Sequence, residues 1–398
     1  MPPVTHTDIL VAGAGPAGLA AALGLARAGW RVTLAGKAEG RRNGHTVALL
    51  GGSIGFLESL GLGAALEGVA APVAGIRIID DTGSFFAPPP VLFPASDAGL
   101  AALGHNVESS VLAEMLSAAV RALPNVTLID EHVADYVFEA HQASARFAAG
   151  ATVTASLIVA ADGRKSPARR AAGIKARSWT YPQSALTALV SHSRPHKNIS
   201  TEFQTRHGPF TLVPMLPLPG APHRSSIVWL MQPREAERRF ALGNAALAQE
   251  IEDQAHFAFG DMQLEGPRGM VPMAGMLARR LTAPRLALVA EAAHAFPPVA
   301  AQGLNLSLRD VAALVDVLND AASLGQDIGD ATTLDAYERA RATDIALRSL
   351  WVDTLNRSLL SHSLPADFLR GAGLRLLGLA APLRRFVMRQ GLALPPAA

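Results

Sequence analysis

The chain has 398 residues, 49% of them hydrophobic and 17% charged, so it is long enough for two or three domains and too apolar to be disordered. It contains no cysteine, which excludes disulfides, thiolate catalysis and cysteine-ligated metals, and its histidines are too scattered to predict another metal site. A net charge of +2 is too small to predict a nucleic-acid partner.

Neither a leader nor a membrane span is visible in the sequence. The N-terminus leads into a strand without a basic-then-apolar segment, and no stretch approaches about 18 uninterrupted apolar residues. We therefore expect a cytoplasmic protein.

Residues 8–35 predict a strand, a glycine turn, a helix and a second strand. Residues 9–12 are continuously apolar, as a strand buried on both faces of a parallel sheet must be. In the turn, Gly13 permits a tight reversal, Gly15 lets the backbone approach a pyrophosphate, and Gly18 lets the helix pack on the strand. The helix amides then face the phosphates. We predict a dinucleotide-binding unit, the alternative being a glycine-rich turn without a ligand.

The acid that normally ends the second strand and binds the ribose hydroxyls is missing. Its expected place holds Ala35, Gly36 and Lys37. Two alternatives stay open: Glu39 substitutes if the loop bends, or Lys37 binds a 2′-phosphate. The plainer interpretation is that Lys37 is a solvated loop residue.

Two later strands lead to acidic residues at the edge where parallel sheets bind ligands. An apolar strand ending near residue 161 delivers Asp162-Gly163, although such a pair is often only a turn. A strand at 286–289 delivers Glu291. A Pro-Pro loop follows and leads into a helix whose first amides, at residues 303–305, suit an electron-rich ring edge.

Residues 179–270 have a different character and predict a second domain. Their short alternating segments, broken by Gly and Pro, predict an antiparallel sheet with one face exposed, and residues 234–258 predict a helix. Residues 75–100 also predict strands outside the nucleotide sheet, whereas residues 107–122 predict an amphipathic helix. We expect the second domain to form a wall or lid for a substrate.

Four motifs in this order carry a family resemblance: Gly13-Ala-Gly-Pro-Ala-Gly18, Thr46-Val-Ala-Leu-Leu-Gly-Gly-Ser53, Asp162-Gly163-Arg164 with Ser166 and Arg169, and Glu291-Ala-Ala-His-Ala-Phe-Pro-Pro through Gln302-Gly-Leu-Asn-Leu. Together they resemble the single-component flavin monooxygenases of the p-hydroxybenzoate hydroxylase type. The sequence is most similar to the ubiquinone-biosynthesis hydroxylases, which act on polyprenylated phenols. The resemblance runs over essentially the whole chain.

The resemblance implies an α/β fold, with a GxGxxG FAD-binding Rossmann-like domain, an inserted antiparallel-sheet substrate domain and C-terminal helices. The implied FAD-binding segments are residues 1–74, 101–176 and 279–330. The implied substrate domain comprises strands in 75–100 and the sheet and helix of 177–278, and residues 331–398 form a C-terminal helical region.

The resemblance also implies FAD as the cofactor and NAD(P)H as the reductant. Because no second nucleotide fold is evident, NAD(P)H would bind transiently over the flavin, and the alternative is that the electrons come from another donor. The implied FAD-binding residues are Gly13, Gly15, Ala17, Gly18, Gly36, Lys37, His45, Ser109, Val133, Asp162, Gly163, Glu291, Gly303, Leu304 and Asn305. Among them Glu291 would bind a ribityl hydroxyl, Val133 would meet adenine through its backbone, and Ser109 would make a polar contact.

Three positions depart from the family pattern. Gly36 replaces the ribose-binding acid, His45 stands where an arginine is often found, and Ala290-Glu291 replaces Gly-Asp. The catalytic candidates are His294 and Pro298. His294 would join a proton relay beside Glu291, and the alternative is that it packs against the Pro297-Pro298 loop.

Three functions follow as hypotheses. The first is hydroxylation of a polyprenylated phenol in ubiquinone biosynthesis through a flavin hydroperoxide, a step in which the cofactor performs the difficult chemistry. The second is the same chemistry on a soluble aromatic compound or natural product. The third is a non-catalytic relative that acts as a scaffold in a biosynthetic complex.

The C-terminal segment 367–389 contains several arginines and, after Asp367, no acid; the arginines are Arg370, Arg375, Arg384, Arg385 and Arg389. This pattern is typical of a helix at an anionic membrane surface, which would place the protein peripherally on the inner membrane. It is equally typical of a helix packed on the protein with solvated arginines.

Overall fold

The computed structural model describes residues 4–37, 44–84, 87–297 and 301–359, with six further positions, Gly373, Arg375, Leu376, Pro382, Arg384 and Arg385. The strands in this part are β1 (Val4–Ala12), β2 (Val32–Ala35), β3 (Thr46–Leu50), β4 (Ala71–Val73), β5 (Gly75–Asp80), β6 (Val91–Pro94), β7 (Gly104–Glu108), β8 (Val126–Ile129), β9 (Val133–Phe138), β10 (Ala143–Phe147), β11 (Thr152–Ala160), β12 (Ala176–His192), β13 (Ile199–Thr205), β14 (Gly208–Met215), β15 (Arg224–Met231), β16 (Met262–Ala278), β17 (Thr282–Ala283), β18 (Leu286–Leu288) and β19 (His294–Ala295). The helices are α1 (Pro16–Arg27), α2 (Gly51–Ser59), α3 (Gly63–Glu67), α4 (Ser109–Arg121), α5 (Pro167–Ala171), α6 (Pro233–Ala241), α7 (Asn244–Gln254), α8 (Gln302–Ser323) and α9 (Ala331–Leu359).

The first sheet contains the glycine turn. Its main strand order is β17-β18-β11-β1-β2-β8, and β1, β2, β8, β11 and β18 run parallel. Strand β1 is central and its apolar run has no exposed surface, while α1 packs on β1 and β2 between α4 and α8. Leu23 and Leu25 of α1 are fully buried, and each such side chain stabilises the fold by about 2 kcal/mol.

The register of the parallel strands brings their carboxyl ends to one edge. Ala12 of β1 lies level with Ala35 of β2 and Ala160 of β11, and Ala160 lies level with Leu288 of β18. The residues that follow these strands therefore lie along the same edge, as the sequence predicted for a parallel sheet.

The hairpin formed by β9 and β10 was not predicted. It pairs antiparallel with the first half of β11, with Ala143 opposite Ala155. The register shifts between Arg146 and Phe147, and β9 buries only Val133 and Tyr136. Such a short, irregular alternation carries little signal in a sequence.

The second sheet is antiparallel apart from the parallel pair β5 and β13, with the order β19-β16-β12-β15-β14-β13-β5-β6. The predicted strands near 75–100 join it as β5 and β6. Helices α6 and α7 cover one face, where Leu186, Phe203, Phe210 and Trp229 form a buried cluster with Leu247 and Ile251.

Two expectations for this region were wrong. Residues 234–258 form two helices instead of one, because Leu242 is extended (ψ 152°) and Gly243 begins a new helix. The sheet does not expose one face along its whole length: residues 183–190 of β12 are all buried. Neighbouring strands and α6 surround this central strand, so its sequence does not show the alternation of an edge strand.

The remaining described elements connect the two large sheets. Strands β3, β7 and β4 form a small sheet beside them, and α9 packs on α8 and β17. The two-residue strand β19 joins the second sheet through Leu277 and so places His294 between the sheets. None of the helices described is long and apolar enough to cross a membrane.

Candidate functional site

The glycine turn leaves open space beside Gly15 but none beside Gly13 or Gly18. A Cβ at Gly13, whose φ is +115°, would clash with the carbonyl oxygen of Ala161, and a Cβ at Gly18 would clash with that of Gly13. A Cβ at Gly15 would have no atom within 4 Å. Gly13 and Gly18 therefore serve close backbone packing, whereas Gly15 borders a space that a ligand can fill.

The N-terminus of α1 opens onto that space. Gly15 is its N-cap, no side chain caps the helix, and the first turn, which includes the buried Ala17, contains no acid. Uncapped amides and the positive end of the helix dipole favour an anion such as pyrophosphate.

The end of β2 leaves no room for a side chain at Gly36, where the customary acid would lie. A Cβ at Gly36 would lie 2.7 Å from the backbone nitrogen of Ala14, so a side chain at this position would push against the glycine turn. Lys37 is exposed. Glu39, the proposed substitute, lies outside the described residues.

His45 and Ser109 lie together at the start of α4. The imidazole Nδ1 is 2.7 Å from the Ser109 hydroxyl, and the Ser109 amide donates to the His45 carbonyl at 3.0 Å. Burial lowers the pKa of His45, which keeps the ring neutral at pH 7. The position where the family resemblance suggests an arginine therefore carries a neutral imidazole, so His45 adds no charge that would attract a phosphate.

Val133 begins β9 and is buried opposite Phe147. Only its backbone is therefore available to a ligand, which is the type of contact that the resemblance implies.

Asp162 and Gly163 follow β11 at the common edge. The Asp162 Oδ2 accepts from the Ala168 amide at 3.0 Å, while Oδ1 is buried and has no hydrogen-bond partner among the described residues. Burial raises the pKa of Asp162. Gly163 has a φ of +83° and open space where a Cβ would be. A buried, unpaired carboxyl oxygen can accept a hydrogen bond from a ligand hydroxyl.

Arg169 joins this turn to the one that contains Glu291. Its guanidinium donates to the carbonyls of Ala292 at 2.6 Å and Arg164 at 2.8 Å. Arg164 in turn lies 3.9 Å from the Glu291 carboxylate, and the Arg164 Nε is buried without a partner in the described structure. The structure therefore brings the two acidic turns together, although they are more than 120 residues apart.

Glu291 itself is available to a ligand, because 57% of its side chain is exposed. The preceding Ala290 has a φ of 56°, a left-handed conformation that costs a residue with a Cβ about 1 kcal/mol. This is the position at which the family pattern has glycine.

The first turn of α8 is fixed against β3. The Asn305 side chain accepts from the Leu50 amide at 2.8 Å and donates to the Ala48 carbonyl at 2.7 Å. That side chain is thus committed to the protein, and any ligand contact would come from the backbone amides of residues 303–305. A Cβ at Gly303 would meet nothing within 4 Å, and Leu304 is half-buried.

His294 does not pair with Glu291. Its Nε2 lies 2.6 Å from the Asp310 carboxylate, whose other oxygen accepts from Arg341 at 2.9 Å, and all three side chains are buried. The ring also stacks on Phe296. These contacts fit a structural role that anchors the loop before α8. Pro298, the other catalytic candidate, lies outside the described residues.

The residues at this edge fit FAD. The space beside Gly15, the uncapped helix α1, the open first turn of α8 and the unpaired polar atoms of Asp162 and Arg164 suit a molecule with phosphates, hydroxyls and a polar ring. They follow strands whose ends are in register.

Sequence analysis did not single out Glu202, a carboxyl group on β13 of the second sheet. Burial raises its pKa to about 6. The one available signal was an acid between Thr201 and Phe203 within a strand, a pattern that more often marks a solvated face.

Comparison with known proteins finds an FAD-binding family and relatives named as hydroxylases or monooxygenases. The family described as FAD binding domain matches residues 6–347. The ubiquinone hydroxylase UbiL of Rhodospirillum rubrum is 32% identical over 97% of this chain and 89% of its own length. The 3-demethoxyubiquinol 3-hydroxylase of Escherichia coli is 28% identical over 98% of this chain and 99% of its own. The crystal structure of p-nitrophenol 4-monooxygenase from Pseudomonas putida matches with a TM-score of 0.78 and 16% identity, covering 98% of this chain and 99% of that one, which shows a common fold.

Proposed function

The chain belongs to this FAD-binding family and is an FAD-dependent monooxygenase of the aromatic hydroxylase type, and we propose that its substrate is a polyprenylated phenol in ubiquinone biosynthesis. The observation that carries the proposal is the nearly full-length match, in both directions, to relatives named for hydroxylation of ubiquinone or its precursors. Val213 and Val228, on the face of the second sheet opposite α6 and α7, are partly exposed and support an apolar ring as the ligand.

Bound FAD would supply the redox chemistry with which dioxygen is activated, and NAD(P)H is the reductant typical of the family. The amides at the start of α1 would hold the pyrophosphate beside Gly15. The Glu291 carboxylate would accept a hydrogen bond from a ribityl hydroxyl, and the amides of residues 303–305 would hold the electron-rich edge of the ring system.

Around the reacting ring, the chain would supply orientation and exclude water. The second sheet would close one side, and the Asn305 hydrogen bonds fix the first turn of α8 against β3. Removing water from such a site strengthens each remaining polar contact.

The direct test uses FAD-loaded protein, NADPH and a 2-farnesylphenol dispersed in detergent. We expect NADPH oxidation that depends on the phenol, together with a product heavier by one oxygen in mass spectrometry. Oxidation of 4-nitrophenol without oxidation of the lipid phenol would favour a soluble aromatic substrate. Protein that retains no flavin after soaking in excess FAD would favour the scaffold hypothesis.

We also propose that the C-terminal segment contacts an anionic membrane surface, from which a polyprenylated substrate would enter. Of its arginines in the described part, Arg375 and Arg385 are exposed, whereas Arg384 binds Asp97. Each basic residue near the headgroups contributes about 1 kcal/mol. Sedimentation with phosphatidylglycerol vesicles should weaken when Arg375 and Arg385 are replaced by glutamate. The exposed Arg170 provides a matched control, and equal binding of all variants would contradict the proposal.

A further inference from the structure

One face of the second sheet presents a row of partly exposed side chains in cross-strand register. Glu202 of β13 lies opposite Ile78 of β5 and Thr211 of β14, and Thr211 lies opposite Val228 of β15. We call Ile78, Glu202, Thr211 and Val228 the cross-strand row. Each is partly exposed, whereas Phe203, the next residue along β13, points to the other face and is buried under α7.

The cross-strand row is on the face turned toward the candidate flavin edge. Ser226, two residues before Val228 and therefore on the same face, accepts from the Thr46 hydroxyl at 2.8 Å. Thr46 begins β3, the strand whose other end is fixed to the first turn of α8 by Asn305. Strand spacings place Glu202 about 12 Å from Ser226 across the sheet. One short strand thus links the wall that contains Glu202 to the proposed seat of the flavin ring.

The Glu202 carboxylate is held by neutral donors. One oxygen accepts from the Gln204 amide, and Oε2 lies 3.5 Å from the Thr211 hydroxyl, which is the limit of a hydrogen bond. In the part of the chain that the structure describes, Glu202 forms no ion pair. Burial raises its pKa to about 6, which a solvated surface glutamate would not show. Oε2 is therefore only weakly hydrogen-bonded within the described structure.

We propose that Glu202 is a specificity-determining residue that accepts a hydrogen bond from the hydroxyl group of the ring substrate and repels substrates with a ring carboxylate. The other members of the cross-strand row are apolar or hydroxyl-bearing, so Glu202 is the charged member of this row; Asp80, two residues after Ile78 on β5, lies on the same face and is also acidic. A phenol would donate a shorter hydrogen bond to Oε2 than Thr211 does, whereas a benzoate would bring a second negative charge to a partly desolvated carboxylate. The inference rests on the proposed hydroxylase function and narrows its substrate to a neutral phenol.

The test compares 2-allylphenol with 3-allyl-4-hydroxybenzoate, the same phenol with a carboxylate added to the ring. Their dissociation constants are measured on FAD-loaded protein from the perturbation of the flavin absorbance. We expect the wild type to bind the phenol at least tenfold more tightly than the benzoate. Glu202→Gln should reduce this ratio to about threefold or less, mainly through tighter benzoate binding. Glu202→Asp retains the charge and should retain most of the ratio.

The control is Glu235→Gln, which removes an exposed carboxylate on α6, on the opposite side of the sheet, and should leave the ratio unchanged. A wild type that binds both probes equally, or a flavin-loaded Glu202→Gln variant with the wild-type ratio, would overturn the inference. Failure of the proposed function would give a different result. The ratio of the two dissociation constants would still depend on Glu202, but the lipid phenol would yield no oxygenated product.

Discussion

Replacing Gly15 with valine should remove flavin binding and leave the fold intact. A Cβ at this position meets nothing within 4 Å, and the backbone at φ −74° and ψ 174° is one that valine adopts readily. Replacing glycine reduces the conformational entropy of the unfolded chain, which stabilises the folded state by about 0.4–1 kcal/mol. Losing a favourable N-cap residue costs up to about 1 kcal/mol, so the stability of the flavin-free protein should change by less than about 1 kcal/mol.

The effect on FAD should be much larger, because the valine side chain would occupy the space assigned to pyrophosphate. Losing two charge-assisted hydrogen bonds costs roughly 3–6 kcal/mol, which corresponds to about 10²- to 10⁴-fold in the dissociation constant. Flavin fluorescence titration measures this constant, and urea unfolding of the flavin-free protein measures stability.

Gly18→Ala is the matched control, because its Cβ would clash with the Gly13 carbonyl oxygen. This variant should lose about 1–3 kcal/mol of stability through backbone displacement. A Gly15→Val protein that stays yellow with an unchanged dissociation constant would refute our assignment of the space beside Gly15.

Three further predictions concern single side chains. Glu291→Ala should weaken FAD binding by about 1–3 kcal/mol in calorimetric titration, because it removes an acceptor for a ribityl hydroxyl; an unchanged constant would exclude Glu291 from the site. Ala290→Gly should stabilise the fold by up to about 1 kcal/mol in urea unfolding, because glycine relieves the left-handed conformation by more than it adds to the entropy of the unfolded chain. A less stable variant would show that Ala290 is not strained. The pKa of Glu202 is raised from 4.5 to about 6, so this carboxyl should contribute a loss of about 2 kcal/mol to the free energy of unfolding as pH rises from below 4.5 to above 6. Glu202→Gln should lack this loss, and parallel pH profiles for the two proteins would contradict it.

The parallel sheet was predictable because its signals are local. A continuous apolar run such as residues 9–12 followed by spaced glycines specifies strand, turn and helix, and the parallel arrangement then places Asp162 and Glu291 at one edge. The number of helices after β15 was not predictable, because an extended Leu242 before Gly243 has no distinctive pattern.

Contacts between residues that are distant in the sequence could not be predicted from the sequence. The pairing of His294 with Asp310 and Arg341 depends on how α8 and α9 pack, whereas its sequence position suggested Glu291 as the partner. Glu202 was missed for a similar reason. Only the register of β5, β13, β14 and β15 shows which of its neighbours share its face and that this face turns toward β3.

The most direct measurement of the central claim is the origin of the oxygen in the product. FAD-loaded protein, reduced with NADPH and supplied with 2-farnesylphenol under ¹⁸O₂, should yield a hydroxylated ring that contains one ¹⁸O atom. A flavin-loaded protein that oxidises NADPH but leaves the phenol unlabelled and unchanged would contradict the account.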